Sequence, residues 1–224
     1  MNEPARCVHC GACVAACYAE ARELVGRQMS ITELLDTIAR DRPFYERSQG
    51  GVTISGGEPL HQPEALLTLL QACKAHAINT AVDTCGYASW PALDRILPYT
   101  DLFLYDLKHL DDDRHCALTG VSNQRILANL QRLAKSGAAI WVRMPLIPGI
   151  NDGVPHLHRV RDFIATLPGV HRLDVLPYHP IAQEKYRRLN LDYTLADLAP
   201  PSDEHVQNAA DILRTAGLTV TLGG

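Results

Sequence analysis

The chain has 224 residues, of which 46% are hydrophobic and 21% charged, and its formal net charge is −4. This length fits one well-buried domain and excludes two large ones, and the charge gives no basic excess for binding nucleic acid. No apolar run is long enough to cross a bilayer and no apolar leader begins the sequence, so a cytoplasmic protein without a membrane partner is the expectation.

The first element is a dense run of cysteines, Cys7, Cys10, Cys13 and Cys17. Their C-x2-C-x2-C-x3-C spacing is that of half a bacterial ferredoxin, in which neighbouring thiolates wrap an iron–sulfur cluster. Without an export signal, such a run favours metal binding over disulfides, and a structural zinc site is the alternative. Residues 1–29 are therefore predicted to form a half ferredoxin-like module. It would bind one [4Fe–4S] cluster through all four cysteines or through the first three.

Residues 30–224 alternate helix and strand patterns. Ser30 with Glu33 is a capping-box pattern that opens a helix through about Ala39. Amphipathic helical stripes lie within residues 66–73, 126–133 and 206–213. Strand patterns lie at Val52–Ile54, Thr80–Asp83, Leu102–Leu107, Ala139–Arg143, Leu173–Leu176 and Leu218–Leu222.

Repeated βα units predict an α/β fold with a parallel sheet. An open or partial (β/α) barrel and a doubly wound sheet both satisfy that pattern. Polar and glycine-rich residues cluster after the strand patterns, and this favours a partial barrel whose loops converge on one mouth. The segment Ser55-Gly56-Gly57-Glu58-Pro59 is the most informative of these loops. Its glycines let backbone groups approach a ligand, and its carboxylate can hold an ammonium group.

Five further runs accompany the glycine turn: Asp83-Thr84-Cys85-Gly86-Tyr87, Tyr105-Asp106-Leu107-Lys108, His115-x3-Thr119-Gly120, the segment from Arg143 to Asp152, and Leu176-Pro177-Tyr178-His179 with Lys185-Tyr186 after it. Together with the glycine turn they resemble the glycyl-radical-enzyme activating proteins, a radical-SAM family related to the pyruvate formate-lyase activating enzyme. The resemblance covers about residues 7–224. The cysteine run resembles part of the ferredoxin-like insert of the larger members.

The resemblance implies a reaction and its partners. A [4Fe–4S] cluster binds S-adenosylmethionine, and reductive cleavage gives a 5′-deoxyadenosyl radical. The radical takes the α-hydrogen of one glycine in a partner glycyl-radical enzyme. The resemblance also implies anaerobic chemistry and an external electron donor such as flavodoxin or ferredoxin.

The resemblance assigns binding roles to residues of the glycine turn and of the last strand end. Gly56, Gly57 and Glu58 match residues that contact the methionine ammonium. His179 matches a residue that lies against the ribose.

The charged residues of the central strand ends also receive roles from the resemblance. Asp83, Thr84 and Asp106 match positions near the methionyl end and a monovalent cation. Lys108 and Arg143 match residues that balance the cosubstrate carboxylate, and they are the predicted catalytic pair.

One family feature does not occur in the sequence. The Cys-x3-Cys-x2-Cys triad that holds the reactive cluster should precede the cysteine run, on the loop after the first barrel strand, and no cysteines have that spacing. The expectation is thus an N-terminally truncated member whose barrel lacks its first strand. Two other functions stay open: a one-cluster electron carrier, and a non-catalytic remnant that binds the partner enzyme.

Structural roles compete with the functional ones at single residues. Arg143 could pair with a core carboxylate, and Asp83 and Asp106 could cap helices or lie solvated in loops. His115 is expected on the polar face of a helix. Among the scattered cysteines, Cys73 is expected in the core and Cys85 as a small buried residue. Lys108 could be a surface lysine, and His179 could serve only the turn in which it lies.

Overall fold

A computed structural model describes residues 7–8, 10–24, 26–189 and 191–223. These residues form one six-stranded sheet whose spatial order follows the chain: β1 (Gly51–Ile54), β2 (Asn79–Thr84), β3 (Leu102–Asp106), β4 (Ile140–Leu146), β5 (Arg172–Pro177) and β6 (Thr219–Leu222). All neighbouring strands are parallel, and β1 and β6 are the two edges of the described sheet. The six predicted strands and the open, partial (β/α) barrel are confirmed.

Helices precede the first strand and connect the others: α1 (Ala12–Ala15), α2 (Ile31–Ala39), α3 (Arg42–Ser48), α4 (Pro63–Ala75), α5 (Trp90–Ile96), α6 (Asp112–Thr119), α7 (Gln124–Lys135), α8 (Val154–Ala165), α9 (Ala182–Arg188) and α10 (Asp203–Arg214). The predicted capping box begins α2: the Ser30 hydroxyl accepts from the Glu33 N–H, and the Glu33 carboxylate accepts from the Ser30 N–H at 2.7 Å. The predicted stripes form α4, α7 and α10, and their apolar residues are buried.

The two faces of the sheet differ in polarity. Side chains of Cα partners in register share a face, so Asp106, Arg143, Asp174 and Thr221 are lateral neighbours across β3 to β6. The opposite face is apolar and packs against the helices. Its buried members include Val82, Phe103, Tyr105, Val142, Met144, Leu173 and Val175. The core thus lies between sheet and helices, and the charged residues lie on the other side.

A second, smaller apolar cluster lies beside the edge strand β1. Leu69 and Cys73 of α4 and Ile78 are buried there, and side chains of α2 pack against them. The expectation that Cys73 belongs to the core is confirmed. Helix α2 therefore covers apolar surface at the edge of the sheet, after the cysteine run and before the first described strand.

His115 lies in a helix, as expected, but its predicted position on a polar face is wrong. The side chain is buried in α6, and its Nδ1 lies 2.8 Å from the carbonyl oxygen of Val121. The chain reverses at Gly120, which has φ of +80°, and this turn brings the following residues back over the ring. The polar residues next to His115 in the sequence suggested an exposed face, and they did not show that the turn would cover the ring.

The cysteine segment, residues 7–29, differs from the rest of the chain. None of its described residues is buried, and its one described helix, α1, has four residues. Cys7, Cys10 and Cys13 are exposed and Cys17 is half-buried. The division into a module at 1–29 and a barrel at 30–224 stays a proposal.

Candidate active site

The polar loops that the sequence singles out lie at one end of the sheet. Because all six strands are parallel, the residues after each strand emerge at the same edge. We call this edge the mouth and define it as residues 55–58, 83–88, 106–111, 143–152 and 178–179. Its shape follows from topology, since each of the first five strands brings one segment to it.

An ion cluster links four positions of the mouth. The Arg143 guanidinium donates to the Asp106 carboxylate at 2.9 Å through Nη2, and it also pairs with Asp83. Asp83 in turn accepts from the Ser55 hydroxyl at 3.1 Å. The three charged side chains are only about a fifth to a quarter exposed, with values of 19%, 19% and 24% for Arg143, Asp83 and Asp106. Arg143 therefore does form a structural ion pair, and it forms it with both carboxylates, those of Asp83 and Asp106.

Burial and charge act against each other in this cluster. Burial raises the pKa of Asp106, and Arg143 and Lys108, which act to lower it, offset only part of that effect. Burial acts to lower the pKa of Arg143, but Asp106 and Asp83 outweigh it, so the pKa is raised. The mouth thus holds carboxylate acceptors and cationic donors in one partly water-excluded place. A zwitterion that carries an ammonium and a carboxylate needs that combination.

Glu58 ties the first two loops of the mouth together. Its carboxylate accepts from the Thr84 hydroxyl at 2.7 Å, from the Cys85 N–H at 2.9 Å and from the Leu60 N–H at 3.1 Å. The Thr84 hydroxyl also accepts from the Gly86 N–H. The pKa of the Cys85 thiol is raised to about 11, mainly by burial and to a smaller extent by the Glu58 carboxylate. Cys85 therefore stays protonated at neutral pH.

The glycines of the mouth meet different needs. Gly56 has φ of +135°, which only glycine adopts readily, whereas Gly57 has neither a left-handed φ nor any atom within 4 Å of a Cβ built on it. A Cβ on Gly86 would overlap the hydroxyl of Tyr105. Packing within the chain therefore explains Gly86, and strain explains Gly56. Nothing within the chain requires a glycine at Gly57, so its predicted contact with a ligand stays a prediction.

Three buried asparagines hold the mouth, and the sequence analysis missed all of them. Each donates two hydrogen bonds through its side-chain amide to backbone carbonyls. Asn129 holds the loop after β2, Asn123 holds the loop after β3, and Asn151 joins the loops after β3 and β4. Asn151, which precedes aspartate and glycine, looks like an ordinary turn residue, and Asn129 lies within a helical stripe, so the sequence pattern gave no signal for either.

Comparison with known proteins decides the family. The family model described as Radical SAM superfamily matches residues 4–160. The chain belongs to the radical SAM superfamily. It is 41% identical over 251 aligned positions, with 96% of this chain and 81% of the relative covered, to a choline trimethylamine-lyase activating enzyme of Oleidesulfovibrio alaskensis. It is 37% identical to a (2S)-3-sulfopropanediol dehydratase activating enzyme of Klebsiella oxytoca, with 97% of this chain and 70% of that one covered.

A solved structure agrees with these relatives. A domain of pyruvate-formate lyase-activating enzyme from Bacteroides vulgatus superposes with a TM-score of 0.66 at 34% identity, over 78% of this chain and 99% of that chain. Within the radical SAM superfamily the chain is therefore a member of the glycyl-radical-enzyme activating family, as the sequence motifs predicted. The family's cofactors are a [4Fe–4S] cluster and S-adenosylmethionine. No helix in the described part of the chain is long and apolar enough to cross a membrane.

In this radical SAM chain His179 follows β5, at the same end of the sheet as the ion cluster. Its ring is exposed, and Nδ1 accepts weakly from the Ile181 N–H at 3.4 Å. The preceding Tyr178 is buried and donates its hydroxyl to the carbonyl oxygen of Leu195 at 3.0 Å. Tyr178 thus fixes the loop, and His179 presents its ring to solvent at the mouth. Its predicted contact with a ribose stays a prediction.

The iron ligands of this radical SAM chain also remain a sequence-based prediction. Over residues 7–8, 10–24, 26–189 and 191–223, no three His, Cys, Asp or Glu side chains converge as a metal site. The assignment of Cys7, Cys10, Cys13 and Cys17 to a cluster rests on their spacing. No Cys-x3-Cys-x2-Cys occurs between residues 1 and 224, so the family's reactive cluster has no predicted ligands among them.

Proposed function

We propose that the mouth of this chain binds S-adenosylmethionine and that the protein activates a glycyl-radical enzyme. The observation that carries the proposal is the half-buried cluster of Asp83, Arg143 and Asp106 beside an open glycine turn. Opposite charges and free backbone groups in one place suit a zwitterionic cosubstrate. Membership of the activating family supports the reaction class and a protein substrate.

One set of mouth residues would bind the ammonium of the cosubstrate, and another set would bind its carboxylate. Backbone groups of Gly56 and Gly57 would approach the methionine ammonium. Glu58 would add one acceptor, since a carboxylate has about four acceptor positions and three are occupied within the chain. Lys108 and Arg143 would face the carboxylate.

Three further residues complete the proposed site. Asp83 and Asp106 hold Arg143 by ion pairs, and Thr84 links the second loop to the first through Glu58. His179 would lie against the ribose. The acids keep the guanidinium charged and directed, so the chain's part is to bind and orient the cosubstrate and to limit access of water.

Bound next to a reduced [4Fe–4S] cluster, S-adenosylmethionine supplies the radical that removes a hydrogen atom from a glycine of the partner protein. The electron would come from an external donor such as flavodoxin or ferredoxin, and Cys7, Cys10, Cys13 and Cys17 are the residues that would hold the predicted cluster of the cysteine segment. Family membership supports the reaction class, and the cysteine spacing supports the cluster ligands.

Two glycine substitutions test the cosubstrate site. Gly57 and Gly153 both lack a left-handed φ, and a Cβ on either would meet no atom within 4 Å. Neither Gly57→Ala nor Gly153→Ala should therefore change the melting temperature. Calorimetric titration should show affinity for S-adenosylmethionine about tenfold weaker in Gly57→Ala and unchanged in Gly153→Ala. Equal affinities for both variants would contradict the proposed site.

Cleavage of the cosubstrate is a separate test. A polypeptide of residues 1–224, reconstituted with iron and sulfide and reduced with dithionite, should bind S-adenosylmethionine but form no 5′-deoxyadenosine above a no-protein control. The reason is that the triad spacing is not among these residues. If 5′-deoxyadenosine does form, and if Glu58→Ala abolishes it, then other cysteines of the chain hold the reactive cluster.

A further inference from the structure

Asn151 is a buried hydrogen-bonding centre between two loops of the mouth. Only 1% of it is exposed. Its amide Nδ2 donates to the carbonyl oxygens of Lys108 at 3.0 Å and Pro145 at 2.6 Å, and its Oδ1 accepts from the Ile147 N–H at 2.8 Å. The side chain therefore fastens the residue after β3 to the end of β4. No hydrophobic residue of similar size could do this, because it would leave two buried carbonyls unpaired.

The backbone around Lys108 is held at further points while its side chain is exposed. Lys108 lies between Leu107 and His109, both of which are buried. Asn123 donates to the carbonyl oxygen of His109 at 2.9 Å, and the His109 ring stacks on His156 with centroids 4.2 Å apart. An exposed lysine on a fixed backbone can reach a ligand with little loss of backbone freedom on binding.

Electrostatics places the Lys108 ammonium on the side of the ion cluster. It acts to lower the pKa of Asp106 and that of the Cys85 thiol, which belong to two different loops of the mouth. Its charge is therefore felt where the proposed cosubstrate carboxylate would lie.

We propose that Asn151 is a positioning residue for cosubstrate binding. It fixes the Lys108 backbone so that the ammonium meets the carboxylate of S-adenosylmethionine, and it does not touch the cosubstrate itself. The inference rests on the proposed function, since it assumes that Lys108 binds that carboxylate. It adds a residue that the sequence motifs left without a role.

Asn129 offers a matched control. It is 3% exposed, and its amide also donates to two backbone carbonyls, those of Gly86 and Ala88, both at 2.9 Å. Truncating either asparagine removes two amide-to-carbonyl hydrogen bonds from a buried position, and truncating Asn151 also removes the bond that its Oδ1 accepts from Ile147. Only Asn151 is bonded to Lys108.

The experiment is a double-mutant cycle on the affinity for S-adenosylmethionine, measured by calorimetry. Asn151→Ala and Lys108→Ala should each weaken binding about tenfold, and the double variant should bind no more weakly than Lys108→Ala alone. Asn129→Ala should instead act independently of Lys108→Ala, so the fold-losses in affinity of the two single variants should multiply in the double variant. A tenfold loss from Asn151→Ala that persists in the Lys108→Ala background would overturn the proposal, as would wild-type affinity in Lys108→Ala.

A second ligand and a second variant keep the test decisive. Binding of 5′-methylthioadenosine, which has no carboxylate, should be the same in wild type and Asn151→Ala, whereas a general loosening of the fold would weaken it. If Asn151→Ala does not fold, Asn151→Ser retains one donor and should give the same coupling with a smaller loss. A wild-type chain that binds 5′-methylthioadenosine but not S-adenosylmethionine would contradict both the proposed function and this inference.

Discussion

The cysteine segment and the mouth of the sheet carry their functional residues in opposite ways. In residues 7–29 the four thiols come from one local run, no described residue is buried, and the one described helix has four residues. In the mouth, the ion cluster takes Asp83, Asp106 and Arg143 from three strands, β2, β3 and β4, and Ser55 from the loop after β1. A continuous core holds those strands in register.

The difference shows where each region obtains its shape. A segment with no buried residue among those described offsets little of the conformational entropy that folding removes, so we expect the predicted cluster to supply most of its order. In the mouth, by contrast, hydrogen bonds and ion pairs within the chain tie the loops to one another. The two regions should therefore respond differently to loss of metal, to loss of core packing and to pH.

Loss of iron should have the largest effect, and only in the cysteine segment. Anaerobic reconstitution should give at most one [4Fe–4S] cluster per chain, and Cys10→Ser should abolish it, because the spacing makes Cys10 a ligand in every arrangement considered. Iron and sulfide analysis measures this. Cys116→Ser is the control, since Cys116 is half-buried in α6 and outside the run. Two clusters per chain, or a full cluster in Cys10→Ser, would contradict the assignment.

Loss of core packing should act on the sheet and hardly at all on the segment. Leu133 is fully buried in α7, so Leu133→Ala should lower the free energy of unfolding by about 2–5 kcal/mol. Val14 lies in α1, where no residue is buried, so Val14→Ala should change it by less than about 0.5 kcal/mol. Urea denaturation of both variants measures the difference. Similar losses in the two would show that the cysteine segment has a core of its own.

The same contrast explains what could be predicted from the sequence. Spacing located the cysteine run because its candidate ligands are neighbours in the chain. Alternation and helical stripes located all six strands and three helices, and parallel topology then implied one mouth. The ion cluster could only be named residue by residue through family resemblance, because Asp83 and Arg143 are 60 residues apart.

The polar supports of the mouth could not be predicted. Asn123, Asn129 and Asn151 look like turn or helix residues, and only the assembled loops give each of them two carbonyl partners. His115 was misplaced for the same reason, since a turn at Gly120 buries it. Burial of a polar residue depends on what folds over it, and periodicity does not report that.

Within the mouth, removal of Arg143 should give the next largest effect. Arg143→Met leaves Asp83 and Asp106 partly buried without their guanidinium, so the free energy of unfolding should fall by about 2–4 kcal/mol at pH 7. Burial raises the pKa of Asp106 and Arg143 acts to lower it, so the variant raises that pKa further. The loss of stability in Arg143→Met should become smaller as the pH falls from 7 towards 4. Asp106 takes up a proton on the way, and a protonated carboxyl needs no cation beside it.

Denaturation of Arg143→Met and wild type between pH 7 and pH 4 tests this pH dependence. The control is Asp106→Asn in the Arg143→Met background, which removes the titrating carboxyl and should flatten most of the change with pH. A difference between variant and wild type that stays constant over the range would mean that packing of the arginine stem, and not the charge, stabilises the mouth.

The smallest predicted effect concerns the stacked histidines beside Lys108. His156 is 6% exposed, and neither ring nitrogen has a hydrogen-bond partner among the described residues. The pKa of His156 is lowered to about 4, mainly by burial and to a smaller extent by His109 and Arg159. Arg114 adds to the lowering, and Asp111 acts in the opposite direction. The unfolded chain therefore binds a proton below about pH 6.5 that the folded chain takes up only near pH 4. Stability should fall as the pH drops through this window.

The expected loss from His156 alone is about 2 kcal/mol between pH 7 and pH 5. His156→Phe keeps an aromatic ring against His109 but has no proton to bind, so its free energy of unfolding should fall less over that range. The pKa of His109 is also lowered by burial, so some acid sensitivity should remain. His158→Phe, at an exposed position of the same helix, should keep the wild-type slope. If His156→Phe keeps that slope too, the stacked ring is protonated in the fold and the mouth is more open to water than its burial indicates.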